Sequence, residues 1–153
     1  MDLEFMNYII RKTKLDEMKM VEDAHRRSIQ EICSKDYTPD QISKYSDVKY
    51  SKHIWENSIQ NDLHLVIEYQ GKIEGMCHAS IREDLVGGLQ GLYFTSKVIG
   101  NGIGREVFEM VKNYFQKNQV KLVYLTGTIT ARGFYEKMGF EVVKEKSMNI
   151  RGA

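Results

Sequence analysis

The sequence has few of the residues that cross-link or interrupt a chain. It contains one proline, Pro39, and two distant cysteines, Cys33 and Cys77, which form no Cys-x-x-Cys pair. This pattern predicts neither a disulfide framework nor a zinc ribbon, so we expect reduced thiols in the core. No apolar run approaches the roughly 20 residues of a membrane span, and the N-terminus carries the acids Asp2 and Glu4 where a secretory signal carries bases. We therefore expect a cytoplasmic protein with no membrane partner.

The charges of the chain also nearly cancel. Lys and Arg number 22 and Asp and Glu number 21, which gives a formal net charge of +1. Such a chain has no general electrostatic attraction to nucleic acid or to an anionic membrane, so a small, specific ligand is the better expectation. The 153 residues contain no internal repeat and no candidate linker, and we expect one domain over residues 1–153.

Hydrophobic periodicity predicts alternating strands and helices along the whole chain. A capping box of Thr38, Pro39 and Gln41 predicts the start of a short helix, and Gly139 is expected to end the last helix in a left-handed conformation. Strands are predicted near residues 8–10, 63–69, 73–81, 89–95, 122–125, 141–144 and 147–150, and helices near 15–33, from 39, near 53–59, 103–115 and up to 139. This order indicates an α/β or α+β fold, in which one mixed sheet is flanked by helices.

Three glycines at every second position follow the strand predicted near 89–95. Gly100, Gly102 and Gly104 allow positive φ angles and let a ligand approach the main-chain amides. If a helix begins near Gly104, its first amides and those of the loop form an anion site that suits a pyrophosphate. The dinucleotide fingerprint fails because Val107 stands where its third glycine belongs, and no Gly-Lys-Ser/Thr exists. A tight turn without a ligand stays open as the alternative.

Two motifs extend this interpretation to a family. The stretch LYFTSKVIGNGIGREVFEMV, with ARGFYEKMGF about thirty residues later, resembles the GNAT superfamily of N-acetyltransferases. The second stretch carries the family's Ala-x-x-Phe-Tyr-x-x-x-Gly-Phe signature at Ala131, Phe134, Tyr135, Gly139 and Phe140. The segment HRRSI at 25–29, followed by YTPDQI at 37–42, is similar to a branch of small bacterial members. The resemblance implies a mixed, mostly antiparallel sheet of roughly six to seven strands flanked by about four helices.

The resemblance also implies acetyl-CoA as the acyl donor, bound mainly by main-chain groups. The amides of residues 99–104 would hold the CoA pyrophosphate, and the main chain of Phe94 and Thr95 would pair with the pantetheine arm. Ile99 stands where the family prefers Gln or Arg, and Thr128 stands where many members have Asn, so those two side-chain contacts are reduced or lost. The expected cofactor-binding residues are Phe94, Thr95, Ile99, Gly100, Asn101, Gly102, Ile103, Gly104, Arg105 and Thr128.

By the same resemblance, Tyr135 is the catalytic acid of an amine N-acetyltransferase that works by direct attack in a ternary complex. Its ordinary pKa of about 10 is close to that of an alkyl thiol, so proton donation to the departing thiolate is feasible. A tyrosine that only packs beside Phe134 is the alternative. The oxyanion donor would be an amide near Phe94 or Thr95. The usual acidic base is missing at Gln90 and Gly91, which leaves water or one of several polar residues: Glu68, Glu74, His78, Glu83 and Asp84.

The acceptor is expected to be a primary amine of a small molecule or peptide. In this fold its site lies beside the first two helices and the central strands, where candidate contacts are His25, Ser28, Tyr37, Tyr45 and Trp55. No metal site is expected, because Cys77 and the neighbouring His78 point to opposite faces of a strand. The sequence leaves open the acceptor's identity, another acyl group, a homodimer, and a non-catalytic CoA-binding regulatory module as the alternative function.

Overall fold

The structure is a computed structural model that describes residues 7–32, 36–125 and 132–139. The strands are β1 (Tyr8–Lys12), β2 (Leu63–Tyr69), β3 (Lys72–Ile81), β4 (Val86–Phe94) and β5 (Leu122–Leu125). The helices are a 3-10 turn (Leu15–Glu17), α1 (Met18–Ile32), α2 (Pro39–Tyr45), α3 (Lys52–Asn61), α4 (Ile103–Lys117) and α5 (Arg132–Lys137). The strands predicted over 141–144 and 147–150 lie outside the described residues.

The five described strands form one sheet in the order β1-β2-β3-β4-β5. The first three pairings are antiparallel, and only β4 and β5 run parallel. The predicted mixed, mostly antiparallel α+β sheet is therefore confirmed. Five α-helices accompany the strands in the described ranges, at the five positions that periodicity predicted, and the family resemblance implied about four.

Local signals placed most element ends correctly. Thr38 caps α2 through its side chain, which accepts a hydrogen bond from the amide of Gln41 at 3.2 Å. The Gln41 side chain accepts one in return from the Thr38 amide at 3.0 Å, which completes the predicted capping box. Gly139 follows α5 with φ of 96°, the left-handed conformation expected of a residue that ends a helix.

The start of β4 differs from the prediction. The strand begins at Val86 rather than near Leu89, so Gly87 and Gly88 lie within it and pair with Ile81 and Ser80 of β3. A β-carbon on Gly87 would lie 2.7 Å from a ring carbon of Phe115. The glycine there allows α4 to approach the sheet closely, which is a tertiary requirement and not a turn signal.

Helices cover both faces of the sheet. On one face, Leu65, Cys77 and Leu89 belong to a buried cluster that includes Val107 and Val111 of α4. On the other face, Val66 and Met76 pack with Val21 and Ala24 of α1 and with Trp55 of α3. Among the helices of the described residues, none is long and apolar enough to cross a bilayer.

Candidate active site

The described pairing of β4 with β5 lies along the first part of β4. The parallel pairing extends from Val86 and Leu122 to Leu89 and Leu125, whereas β4 continues to Phe94. On the other side of β4, the amide of Thr95 donates to the carbonyl of Glu74 at 2.9 Å. Main-chain groups alternate in direction along an antiparallel pair, so the N–H and C=O of Phe94 point away from β3.

A turn with a defined shape follows β4. The carbonyl of Thr95 accepts hydrogen bonds from the amides of Val98 at 3.2 Å and Ile99 at 3.1 Å. Gly100 and Gly102 have φ angles of 82° and 78°, and no atom lies within 4 Å of a β-carbon built on either. These two glycines are therefore required by backbone conformation, and the space above them is open.

The N-terminus of α4 completes this loop. The first helical hydrogen bond runs from the amide of Glu106 to the carbonyl of Gly102 at 3.2 Å. Helix geometry therefore leaves the preceding amides of Ile103, Gly104 and Arg105 without intrahelical partners, and they lie at the positive end of the helix dipole. The Asn101 side chain donates to the carbonyls of Val98 and Ile99 at 3.3 and 3.2 Å, which braces the loop from within.

The structure brings most of the predicted cofactor-binding residues together in this loop and helix end. The amides of Thr95 and Ile99 already donate hydrogen bonds within the protein. The predicted oxyanion donors were the amides of Phe94 and Thr95, and of these two the Phe94 amide is the better placed, because it points away from β3. The side chain of Ile99 is exposed, while that of Ile103 is buried under the loop. Thr128 lies outside the described residues.

Tyr135 lies on α5 and is only 7% exposed. It belongs to the same buried cluster as Cys77, Leu92, Val98 and Ile103, which connects α5 with β4 and the loop. Burial, together with the proximity of Cys77 and Tyr45, raises the pKa of Tyr135 above its ordinary value of 10. The phenol is therefore protonated at neutral pH, as a proton donor must be, but burial also makes it a weaker acid than a free tyrosine.

Comparison with known families identifies the family of the chain. A sequence model described as an acetyltransferase (GNAT) domain matches residues 33–152. The chain belongs to the GNAT acetyltransferase family. No curated protein sequence matches it.

Solved structures show the same GNAT fold. PaiA N-acetyltransferase from Thermoplasma acidophilum, in complex with coenzyme A, aligns with a TM-score of 0.74 and 21% identity over 89% of this chain and 91% of that one. A GCN5-related N-acetyltransferase from Rhodopseudomonas palustris aligns with a TM-score of 0.81 and 14% identity over 99% and 93%. A predicted acetyltransferase with acetyl-CoA from Clostridium acetobutylicum has a TM-score of 0.66 and 15% identity over 94% and 95%.

Four of the five candidate bases of this GNAT chain already have polar partners. Glu68 lies 3.5 Å from Arg11, and the Nε2 atom of His78 lies 2.8 Å from a carboxylate oxygen of Asp62. Glu83 and Asp84 are exposed in the turn between β3 and β4, where Asp84 pairs with Arg82. Glu74 is the candidate closest along the sheet to the loop, since its carbonyl bonds to Thr95. Gln90, at the usual position of the base, lies in a register irregularity of β4 and donates to the hydroxyl of Ser80.

The expected acceptor contacts fall into two groups. His25, Ser28 and Trp55 are buried, and the His25 ring lies against Tyr93 of β4 with 3.7 Å between ring centroids. Its Nδ1 atom is 2.7 Å from the Tyr50 hydroxyl. The contact between His25 and Tyr93 places α1 against β4 one residue before Phe94. The second group, Tyr37 and Tyr45, is half-buried near α2, with ring centroids 6.1 Å apart.

The histidine and cysteine positions of this GNAT chain give no metal site in the part that the structure describes. His64 and His78 face each other across β2 and β3, with ring centroids 5.1 Å apart. Cys77 points to the other face, as predicted, and joins the cluster under α4. Burial raises the pKa of its thiol to about 12, which makes Cys77 a poor nucleophile at neutral pH.

Proposed function

We propose that this GNAT protein transfers the acetyl group of acetyl-CoA to a primary amine of a small molecule or peptide, by direct attack in a ternary complex. Its family supports an acetyl-CoA-dependent acetyltransferase. The observation that carries the finer proposal is the convergence of the end of β4, the glycine loop and Tyr135 around one buried cluster. Proteins of the same fold were solved with coenzyme A and with acetyl-CoA, which supports acetyl-CoA as the donor.

In the proposed complex, the pyrophosphate binds the amides of residues 100–105, and the pantetheine arm lies along the main chain of Phe94. A ligand in this position pairs with the main-chain groups of Phe94 that point away from β3, and its phosphates meet the positive end of α4. The remaining expected contacts, at Ile99 and Thr128, have a minor part because the binding groups are main-chain amides.

The reaction then requires little beyond positioning and one proton donor. The amine, already neutral, attacks the thioester carbonyl, and a C–N bond forms as the C–S bond breaks. The Phe94 amide stabilises the oxyanion of the tetrahedral intermediate. Tyr135 donates its proton to the departing CoA thiolate, and the proton released by the amine passes to water. No metal takes part in the proposed mechanism.

The test is release of CoA thiol from acetyl-CoA across a panel of amino acids, polyamines, aminoglycosides and peptides. At least one amine should support turnover, and Tyr135→Phe should lower kcat by about 100-fold or more while leaving acetyl-CoA affinity unchanged. The matched control is Tyr124→Phe, whose side chain is exposed on β5 and should leave kcat unchanged. A Tyr135→Phe enzyme with the parental kcat would refute the acid assignment.

Binding separates this proposal from its alternative. A ligand that binds only the folded state at about 100 times its Kd raises the free energy of unfolding by about 2.7 kcal/mol. No increase in Tm at millimolar acetyl-CoA would exclude a donor site. An increase without turnover of any amine would favour the non-catalytic CoA-binding regulatory module, for which the absence of a carboxylate at Gln90 and Gly91 is the supporting observation.

A further inference from the structure

A buried carboxylate lies beside the proposed donor site, on the side facing α1. Glu74 of β3 is 3% exposed, and both of its oxygens accept hydrogen bonds from Nη1 of Arg27, each at 3.0 Å. Arg27 also donates to the carbonyl of Ile73 at 3.0 Å and to Asp23 at 2.8 Å. Because a carboxylate is costly to bury without a cation and hydrogen-bond donors, this fully engaged arrangement holds Glu74 in one orientation.

The same carboxylate holds the residue at which β4 becomes the loop. Thr95 is fully buried, its hydroxyl donates to Oε2 of Glu74, and its amide donates to the Glu74 carbonyl. Thr95 in turn shapes the first turn of the loop. Its carbonyl accepts hydrogen bonds from the amides of Val98 and Ile99, and its hydroxyl oxygen accepts one from the Lys97 amide at 3.4 Å. A shift of the Glu74 carboxylate therefore moves both the end of β4 and the loop.

A second contact joins the same helix to the next residue of the loop. Glu31 lies one turn beyond Arg27 on α1, and its Oε2 atom accepts hydrogen bonds from the amide and hydroxyl of Ser96 at 2.9 and 3.0 Å. Helix α1 thus contacts Ser96 directly and is linked to Thr95 through Glu74, and these two residues directly follow β4.

We propose that Arg27 and Glu74 are positioning residues for acetyl-CoA, because the carboxylate that Arg27 holds keeps Thr95 in place. The consequence is that the Phe94 main chain and the glycine-loop amides stay aligned as one binding surface. This inference rests on the proposed donor site. It assigns Glu74 a role in positioning and leaves it no part as the general base, because the guanidinium and the Thr95 hydroxyl already occupy its oxygens.

The first test compares variants that alter the hydrogen bond between Glu74 and Thr95 while keeping side chains of similar size. Glu74→Gln neutralises the carboxylate, Thr95→Val removes only the hydroxyl, and Thr95→Ser retains it. We expect Glu74→Gln and Thr95→Val to raise KM and Kd for acetyl-CoA by about 10- to 100-fold, with a smaller effect on KM for the amine, while Thr95→Ser restores near-parental values. A KM for acetyl-CoA within twofold of the parent in the first two variants would overturn the proposal.

The control variant disrupts a matched ion pair elsewhere in the protein. Glu17 is also buried, and it receives two hydrogen bonds from Arg11 at 2.9 and 2.7 Å, but this pair joins β1 to the 3-10 turn. Glu17→Gln should lower the urea midpoint as Glu74→Gln does, yet leave KM for acetyl-CoA within twofold of the parent. If both variants raise KM equally, the effect of Glu74 is one of general stability and the positioning role fails.

A second readout is independent of acetyl-CoA. Amide hydrogen exchange in the unliganded protein should be at least about tenfold faster at Thr95, Val98 and Ile99 in Glu74→Gln, and unchanged there in Glu17→Gln. Unaltered exchange at these three amides overturns the positioning role whatever the activity. If the parent protein shows no binding of acetyl-CoA, the proposed function fails, and the exchange rates still decide whether Glu74 holds the loop.

Discussion

Acidification should destabilise this protein through one buried histidine. His64 on β2 is 5% exposed, its Nδ1 atom lies 2.7 Å from the Thr13 hydroxyl, and the Trp55 ring meets it edge-on at 5.0 Å. Burial is the main reason that the pKa of His64 falls from 6.5 to about 3, and the nearby His78 lowers it further. The ring is therefore neutral in the folded state at every pH at which the protein is expected to work.

The size of the effect follows from the difference in proton binding. Between pH 6.5 and about 3, the unfolded chain protonates His64 and the folded protein does not, so the stability that is complete above pH 6.5 is lost as the pH falls. Each pKa unit corresponds to about 1.4 kcal/mol. This single residue should therefore reduce the free energy of unfolding by about 2 kcal/mol at pH 5 relative to pH 7.5.

Urea unfolding of the parent and of His64→Asn at the two pH values isolates this contribution. Asparagine keeps a polar group near the position of Nδ1 and does not titrate, so the variant should be less stable at pH 7.5. Its deficit relative to the parent should shrink by about 2 kcal/mol at pH 5. The control is His53→Asn, at an exposed position of α3, for which the difference from the parent should not change with pH. Parallel curves for the parent and His64→Asn would refute the reasoning.

Three further substitutions test the backbone and packing arguments. Gly102→Ala places a side chain at φ of 78°, so urea unfolding should show a free energy of unfolding that is lower by about 1–2 kcal/mol. The control, Gly133→Ala, is exposed on α5 with no atom near the new β-carbon and should show no loss. Gly87→Ala forces a β-carbon against Phe115, and we expect a loss of about 1–3 kcal/mol by the same measurement. An unchanged urea midpoint would contradict the close approach of α4. Thr38→Ala removes the cap of α2 and should lower stability by about 1 kcal/mol, while Thr38→Ser should retain most of it.

Features that depend on neighbours along the chain were predictable from the sequence. The Thr38 cap, the β2–β3 hairpin and the left-handed Gly139 each follow from hydrogen bonds and φ preferences that span a few residues. The motifs around Gly102 and Tyr135 indicated the family, and the family model confirmed it. Their roles in binding and catalysis stay predictions.

The contact between Arg27 and Glu74, which supports the candidate site, was not predicted from the sequence. A row of charged side chains could have been predicted on α1, because Asp23, Arg27 and Glu31 are spaced at every fourth residue. The spacing does not indicate which residues of the sheet they contact. Arg27 and Glu74 are 47 positions apart, and only the packing of α1 on β3 brings them together. Periodicity could not show this, because it identifies the buried face of each element and not which faces meet.

The sequence by itself determined the type of each main element, the family, and the position of the glycine loop, because these depend on short-range sterics and hydrogen bonding. Only the tertiary structure decided that β4 begins at Val86, that His64 faces His78, and that Glu74 holds Thr95 at the start of the glycine loop. These outcomes depend on which surfaces bury each other. A buried charge or a close glycine contact is stable only where a distant part of the chain provides its partner.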